Sequence, residues 1–149
     1  MDANLTSYCG LYCLDCVPSK EELFSLIRKV DILLEDLQFE EYAELKSEAF
    51  PGLAQYAAFS EVLKEIGLLQ CHEPCRGGGG KEKCAIRTCC ESNDRNGCWE
   101  CDDSQTCDLL QPLIKSHPNL LYHYDLIRKH GIDGWLPHRK AHYRWQEEG

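Results

Sequence analysis

The stretch CHEPCRGGGGKEKCAIRTCCESNDRNGCWECDDSQTC, residues 71–107, decides how this chain of 149 residues folds. It holds eight of the eleven cysteines, and the other three sit together at Cys9, Cys13 and Cys16. No helical or strand periodicity runs through it. The four consecutive glycines Gly77–Gly80 and the polar run Asn93–Gly97 offer no apolar side chains to bury. Something other than apolar packing must give this part of the molecule its shape.

The cysteine gaps supply a means. Three residues part Cys71 from Cys75, two part Cys98 from Cys101, and two part Cys13 from Cys16. Such gaps let two sulfurs of one tight turn reach the same metal ion, and two such turns close a tetrahedral thiolate site. The expected ligands are Cys13, Cys16, Cys71, Cys75, Cys84, Cys89, Cys98 and Cys101, with Cys9, Cys90 and Cys107 spare or substituting. The economical grouping joins Cys71 and Cys75 with Cys84 and Cys89, and Cys13 and Cys16 with Cys98 and Cys101. Eight thiolates suit about two zinc ions. A [4Fe-4S] cluster held by three close cysteines and one distant one is the alternative. A zinc ion on four thiolates carries a formal charge of about −2. Arg76, Lys81, Lys83, Arg87 and Arg95 lie between the cysteines and suit the role of counter-charges.

Disulfides are the competing use of so many cysteines. The count is odd, and the start, from Met1 to Thr6, has neither the basic nor the apolar region of a secretory leader. A chain of this length can also bury an ordinary core without covalent staples. These features point to a reducing cytoplasm, where closely spaced cysteines are metal ligands or redox couples.

Outside that stretch, helix signals dominate. Ser19 and Glu22 have the spacing of a capping box, and Leu23, Phe24, Ile27, Val30, Leu33, Leu34 and Leu37 follow in steps of three and four. The spacing predicts a helix from Lys20 to Leu37. Shorter helices are expected from Glu40 to Ala49 and from Gln55 to Ile66, the latter with Phe59, Val62, Leu63 and Ile66 inward and Gly67 as its stop. Leu109, Leu110, Leu113 and Ile114 precede Pro118, Asn119 caps a helix ending at Gly131, and Asp133 caps a last helix carrying Trp135, His142 and Trp145. The expected fold class is mainly α: a helical scaffold with an irregular, metal-organised cysteine-rich lobe. One domain is expected over 1–149, with a cysteine knuckle at 1–18, helices at 19–69, the metal-binding lobe at 70–108 and C-terminal helices at 109–149.

Composition narrows the partners. The net charge of −9 disfavours a general nucleic-acid binder. Arg128, Lys129, Arg139, Lys140 and Arg144 do interleave with Tyr122, Tyr124, Trp135, Tyr143 and Trp145, but a solvated helix face over buried aromatics explains that pattern better. No apolar run approaches the roughly 20 residues of a membrane span.

Several motifs fail on context. Gly77–Lys81 lacks the upstream Gly and the following Ser or Thr of a phosphate loop, since Cys75 and Glu82 stand there. Cys98-Trp99-Glu100-Cys101 has no preceding strand, which a thioredoxin-type motif needs. Cys9, Cys13 and Cys16 share the spacing of radical S-adenosylmethionine enzymes, yet a helix and not a barrel of strands follows. His138 and His142 stand four apart without the Glu of H-E-x-x-H.

Taken together, Tyr8–Cys16, Cys71 with Cys75, Cys84-Ala85-Ile86-Arg87-Thr88-Cys89, Cys98–Cys101, Cys107-Asp108-Leu109-Leu110 and the tail Ile127–Leu136 form one ordered pattern. It resembles a family of small cysteine-rich bacterial and archaeal proteins known only as a domain of unknown function, which open with Y-C-G-L-x-C-x-x-C. The first pair of the lobe is one residue wider here than the family's C-x-G-C. The resemblance implies metal binding, commonly taken as zinc, and no defined activity.

Three functional readings follow. The first is a non-enzymatic interaction module whose lobe is organised by zinc, binding a protein partner not identified by the sequence. Closed four-ligand zinc sites leave no position for a substrate. The second is an iron–sulfur redox or sensor protein. The third is an enzyme using Cys90 or Cys107 as a reactive thiol. The absence of a base–nucleophile constellation weighs against an enzyme.

Overall fold

The computed structural model describes residues 3–146. Its regular elements are six α-helices: α1 (Glu21–Asp36), α2 (Phe39–Lys46), α3 (Tyr56–Leu68), α4 (Ala85–Ser92), α5 (Gln111–Ser116) and α6 (Leu120–His130). Short 3-10 turns fill much of the remainder, and the described residues contain no β-strand beyond an isolated antiparallel bridge between Thr6 and Tyr12. The chain is mainly α-helical, as its periodicity predicts.

The helices and the cysteines belong to two compact units. One is Pro18–Gln70; the other joins the residues up to Val17 with those from Cys71 onward. All eleven cysteines lie in the second.

The Pro18–Gln70 unit packs α1, α2 and α3. Phe24, Ala43 and Leu63, one from each helix, are its buried apolar residues. Phe39 links the helices through rings, 5.3 Å from Tyr56 and 5.6 Å from Tyr42. Lys64 pairs with Glu35 at 3.4 Å on the surface. The apolar stripe is only partly covered: Leu33, Leu37 and Leu45 are exposed, and so are Phe59 and Val62, which the periodicity placed inward. The capping box at Ser19 does not form either. Ser19 closes a 3-10 turn, Val17–Ser19, and Lys20, which has no acceptor to offer, takes the capping position of α1.

The cysteine-bearing unit is built around α6. Leu120, Tyr124, Leu126 and Ile127 from this helix pack with Trp99, Leu110, Trp135 and Leu136. The N-terminal segment is tied to the same core by polar atoms. Trp135 donates its indole N–H to the Thr6 hydroxyl at 3.1 Å, and the Tyr124 hydroxyl donates to the Cys9 carbonyl at 3.0 Å. Asn119 stands at the start of α6 as expected, but its amide reaches the Ala141 carbonyl at 3.1 Å in place of capping.

Two helix expectations are corrected here. Among the described residues no α-helix follows Asp133; the chain makes the 3-10 turns Leu136–His138 and Arg144–Gln146 instead. Pro137 removes an N–H donor inside that segment, and Trp135 is already fixed in the core. Conversely, α4 forms where no periodicity was read. Its inward face is brief, Cys90 with the half-buried Ile86, and it ends as Asp94 turns to a left-handed φ of +52°.

Close packing against Tyr124 makes Gly10 irreplaceable. Its φ is +79°, and an added Cβ would stand 2.4 Å from the Tyr124 ring. Gly10→Ala is expected to cost about 2–4 kcal/mol from left-handed strain and overpacking. Gly52→Ala, which meets nothing within 4 Å, should change stability by less than about 0.5 kcal/mol. Equal urea midpoints for the two variants would contradict this packing.

Burial also governs His123. Its Nε2 accepts the Lys140 N–H at 3.2 Å, and desolvation pushes its pKa down to about 4. An unfolded histidine titrates near 6.5. Between those values the unfolded chain takes up a proton that the folded one refuses, so stability falls as pH drops through that window. The decline should be visibly shallower in His123→Gln; identical pH profiles in denaturant titrations would refute it.

Candidate metal centre

Two of the cysteine pairs sit on the same kind of turn. Cys13–Asp15 and Cys98–Glu100 are each one 3-10 turn, closed by the second cysteine's N–H on the first one's carbonyl at 3.1 Å. A third turn, Cys75–Gly77, is closed by the Gly78 N–H on the Cys75 carbonyl at 3.3 Å. Each turn closes on itself without help from a sheet. The Cys98 N–H then donates to the Tyr8 carbonyl at 2.8 Å, which draws the Cys9 segment alongside the Cys98 turn.

Arginines hold these turns in place. Arg76 donates from Nε to the Thr6 carbonyl at 2.7 Å and from Nη2 to the Asn96 carbonyl, and its guanidinium lies 4.5 Å from the Tyr8 ring and 5.7 Å from the Trp99 ring. Arg87 on α4 donates to four carbonyls, those of Cys75, Gly79, Lys81 and Glu82, at 2.9–3.1 Å. Arg128 donates to the Trp99 carbonyl at 2.6 Å. Arg95 reaches a sulfur: its Nη1 is 3.1 Å from Cys101 Sγ. Of the five cations expected beside the cysteines, Arg76, Arg87 and Arg95 thus take up defined partners.

All eleven cysteines are thiols, and they divide into two neighbourhoods. In the first, Cys13 interacts with Cys75, Cys71 and Cys16, and Cys9 with Cys75 and Cys84; Cys9 also interacts with Cys98, so it stands between the two groups. In the second, Cys89, Cys90, Cys98, Cys101 and Cys107 line one cavity of about 30 Å³ beneath Leu110. Cys90 Sγ and Cys98 Sγ are 3.8 Å apart. This grouping differs from the economical one. Cys98 and Cys101 share their surroundings with Cys90 and Cys107, two of the supposed spares, and not with Cys13 and Cys16. Cys89 also belongs to this second group, at its exposed edge. Among the described residues, no three His, Cys, Asp or Glu side chains already stand in an arrangement that would hold a metal ion.

The electrostatics follow burial and contact. Burial pushes the Cys9 thiol up to about 11, against the opposing Ser7 hydroxyl at 3.1 Å. Burial likewise raises Cys13, while a hydrogen bond from the Cys75 backbone opposes it. Within the close pair, the bond with Cys98 lowers Cys90, and Arg95 and Arg76 add to the effect. Cys98 is correspondingly raised. Cys90 is therefore the more readily ionised of the two. Cys16 stands 3.4 Å from the Tyr143 hydroxyl, whose own ionisation burial raises to about 12.

The C-terminal histidines and cations have other partners. His138 stacks on His130 with centroids 4.5 Å apart, whereas His142 packs 4.7 Å from His117. Arg139 makes a two-point pair with Asp15, at 2.5 and 3.0 Å. Tyr124 and Trp135 are fully buried. No helix among the described residues is long and apolar enough to cross a membrane.

Residues 5–112 match the family described as "Protein of unknown function (DUF3795)", and the chain belongs to that family. The match agrees with the resemblance drawn from the cysteine pattern, although the tail from Arg128 to Leu136 lies beyond it. No curated protein and no solved structure matches the chain.

The four-carbonyl grip of Arg87 yields a test. Arg87→Lys keeps the charge but cannot span those acceptors, so the loop it closes should open more often. Loss of one net hydrogen bond, about 1 kcal/mol, makes trypsin cleavage at Lys81 and Lys83 about fivefold faster than in the unaltered chain. Unchanged cleavage rates would show that the loop is held by something else.

Proposed function

We propose that this chain is a thiolate metal-binding protein of the reducing cytoplasm, with zinc as its resident ion, about two per chain, and that it serves as a non-enzymatic interaction module. The observation that carries the reading is the gathering of five thiols around one cavity, with the Arg95 guanidinium on the sulfur of Cys101. Arg95 places a positive charge beside a site whose bound form would carry a formal charge of about −2. The 3-10 turns at Cys13 and Cys98 support the same reading, since each brings two cysteines together in one closed turn. The ligands of one ion would be drawn from Cys9, Cys13, Cys16, Cys71, Cys75 and Cys84, and those of the other from the cavity thiols, four to each.

Zinc would supply cross-links to a segment that has little apolar surface to bury, and it has no redox chemistry of its own. An interaction role is favoured by the exposed apolar side chains of Pro18–Gln70, among them Leu26, Leu33 and Leu45.

Elemental analysis of protein purified anaerobically should find about two zinc ions per chain and no acid-labile sulfide. Chelation should then release them and expose residues 71–107 to proteases, because ligand binding and folding are coupled. Stoichiometric iron with sulfide would replace this reading with the iron–sulfur one. A metal-free chain that keeps residues 71–107 protected would sink both.

A further inference from the structure

We infer that Cys90, Cys98, Cys101 and Cys107 form one four-thiolate site for a single tetrahedral divalent ion, zinc by preference, with Cys89 outside the ligand set and Arg95 as the positioning cation on Cys101. The inference rests on the metal-binding reading above and assigns the ligands of one of its sites.

Four observations converge. The first is separation. Sulfurs bound at about 2.3 Å to a tetrahedral centre stand about 3.8 Å from one another. Cys90 Sγ and Cys98 Sγ are 3.8 Å apart, far beyond the roughly 2.05 Å of a disulfide. The second is room. The cavity these thiols line is about 30 Å³, and a single water needs at least about 10–15 Å³ by that measure, so it has space for one ion.

The third observation is helix phase. Cys89 and Cys90 are adjacent on α4, so they point about 100° apart. Cys90 is 3% exposed, while Cys89 faces solvent, within 3.8 Å of the Asn93 amide. Of the two, Cys90 is the one buried in the cavity, and Cys89 reaches it only at the exposed edge. The fourth is charge. Arg95 Nη1 lies 3.1 Å from Cys101 Sγ, a donor placed to offset a site of formal charge about −2. Ser104, nearly fully buried, and Leu110 close the cavity around the sulfurs. Binding an ion here takes protons from the thiols and leaves four sulfur–metal bonds, with no change in oxidation state.

Cobalt(II) titration of the full chain tests the assignment, because thiolate-to-cobalt absorption counts sulfurs. Cys90→Ser and Cys107→Ser should each lose one tight metal equivalent, and Cys89→Ser should keep both. Arg95→Ala should keep the stoichiometry and weaken the site about tenfold, as loss of a partner outside the ligand set does. If a serine variant fails to fold, alkylation of the zinc-loaded natural chain under graded chelation gives the same answer. Cys90, Cys98, Cys101 and Cys107 should become reactive together as one zinc leaves, with Cys89 reactive from the start. Should the chain bind about two ions while Cys89 is protected with the set, or while Cys90 or Cys107 reacts freely in the loaded protein, the ligand assignment fails and metal binding stands. Should the chain bind no metal at all, metal binding itself fails.

Discussion

Carbonyl groups without a sheet or helix to receive them are the constraint on which the cysteine-bearing unit depends. Every buried C=O needs a donor, and the segment from Cys71 to Cys107 has only α4 as regular structure long enough to supply its own. Arginine fills the gap. Arg76, Arg87 and Arg128 donate to seven backbone carbonyls between them, those of Thr6, Asn96, Cys75, Gly79, Lys81, Glu82 and Trp99. A guanidinium suits this work because its five donors are fixed in one plane. The thiols inherit their positions from these bonds.

The two units are stabilised by different physics. The Pro18–Gln70 unit is an ordinary helical packing with few fully buried side chains. The other has a true aromatic core, in which Trp99 and Trp135 pack with Tyr124 of α6. Each of those aromatics also touches a cysteine segment: Trp99 lies within the Cys98 turn, Tyr124 binds the Cys9 carbonyl, and Trp135 holds Thr6. Apolar packing and thiol placement are therefore one problem in this unit, and a substitution at Tyr124 would disturb both.

Much of this was legible in the sequence. The stripes of α1 and α6 announce themselves through steps of three and four, and the two-residue cysteine gaps foretell closed turns. The partition of the thiols was not legible, for a definite reason. Choosing between Cys89 and Cys90 requires the phase of α4, and α4 shows only Ile86 and Cys90 on its inner face, too little for a periodic signal. Likewise, nothing in the spacing reveals that the Cys98 N–H pairs with the Tyr8 carbonyl. The helix expected after Asp133 was lost to Pro137, where local chemistry outweighed the run of aromatic residues. The helices of Pro18–Gln70 were found, but their apolar residues outnumber the space available inside so small a bundle, so Leu33 and Val62 stayed out.

Thr6 and Trp135, which bond side chain to side chain, are separated by 129 positions. At a synthesis rate of about 5–20 residues per second, about 6–26 seconds pass between their emergence from the ribosome. The lobe cysteines emerge within that interval, but the tryptophan that anchors Thr6 does so only at its end. The N-terminal cysteine segment can therefore be fixed to its core only once nearly all of the unit that receives it has been made.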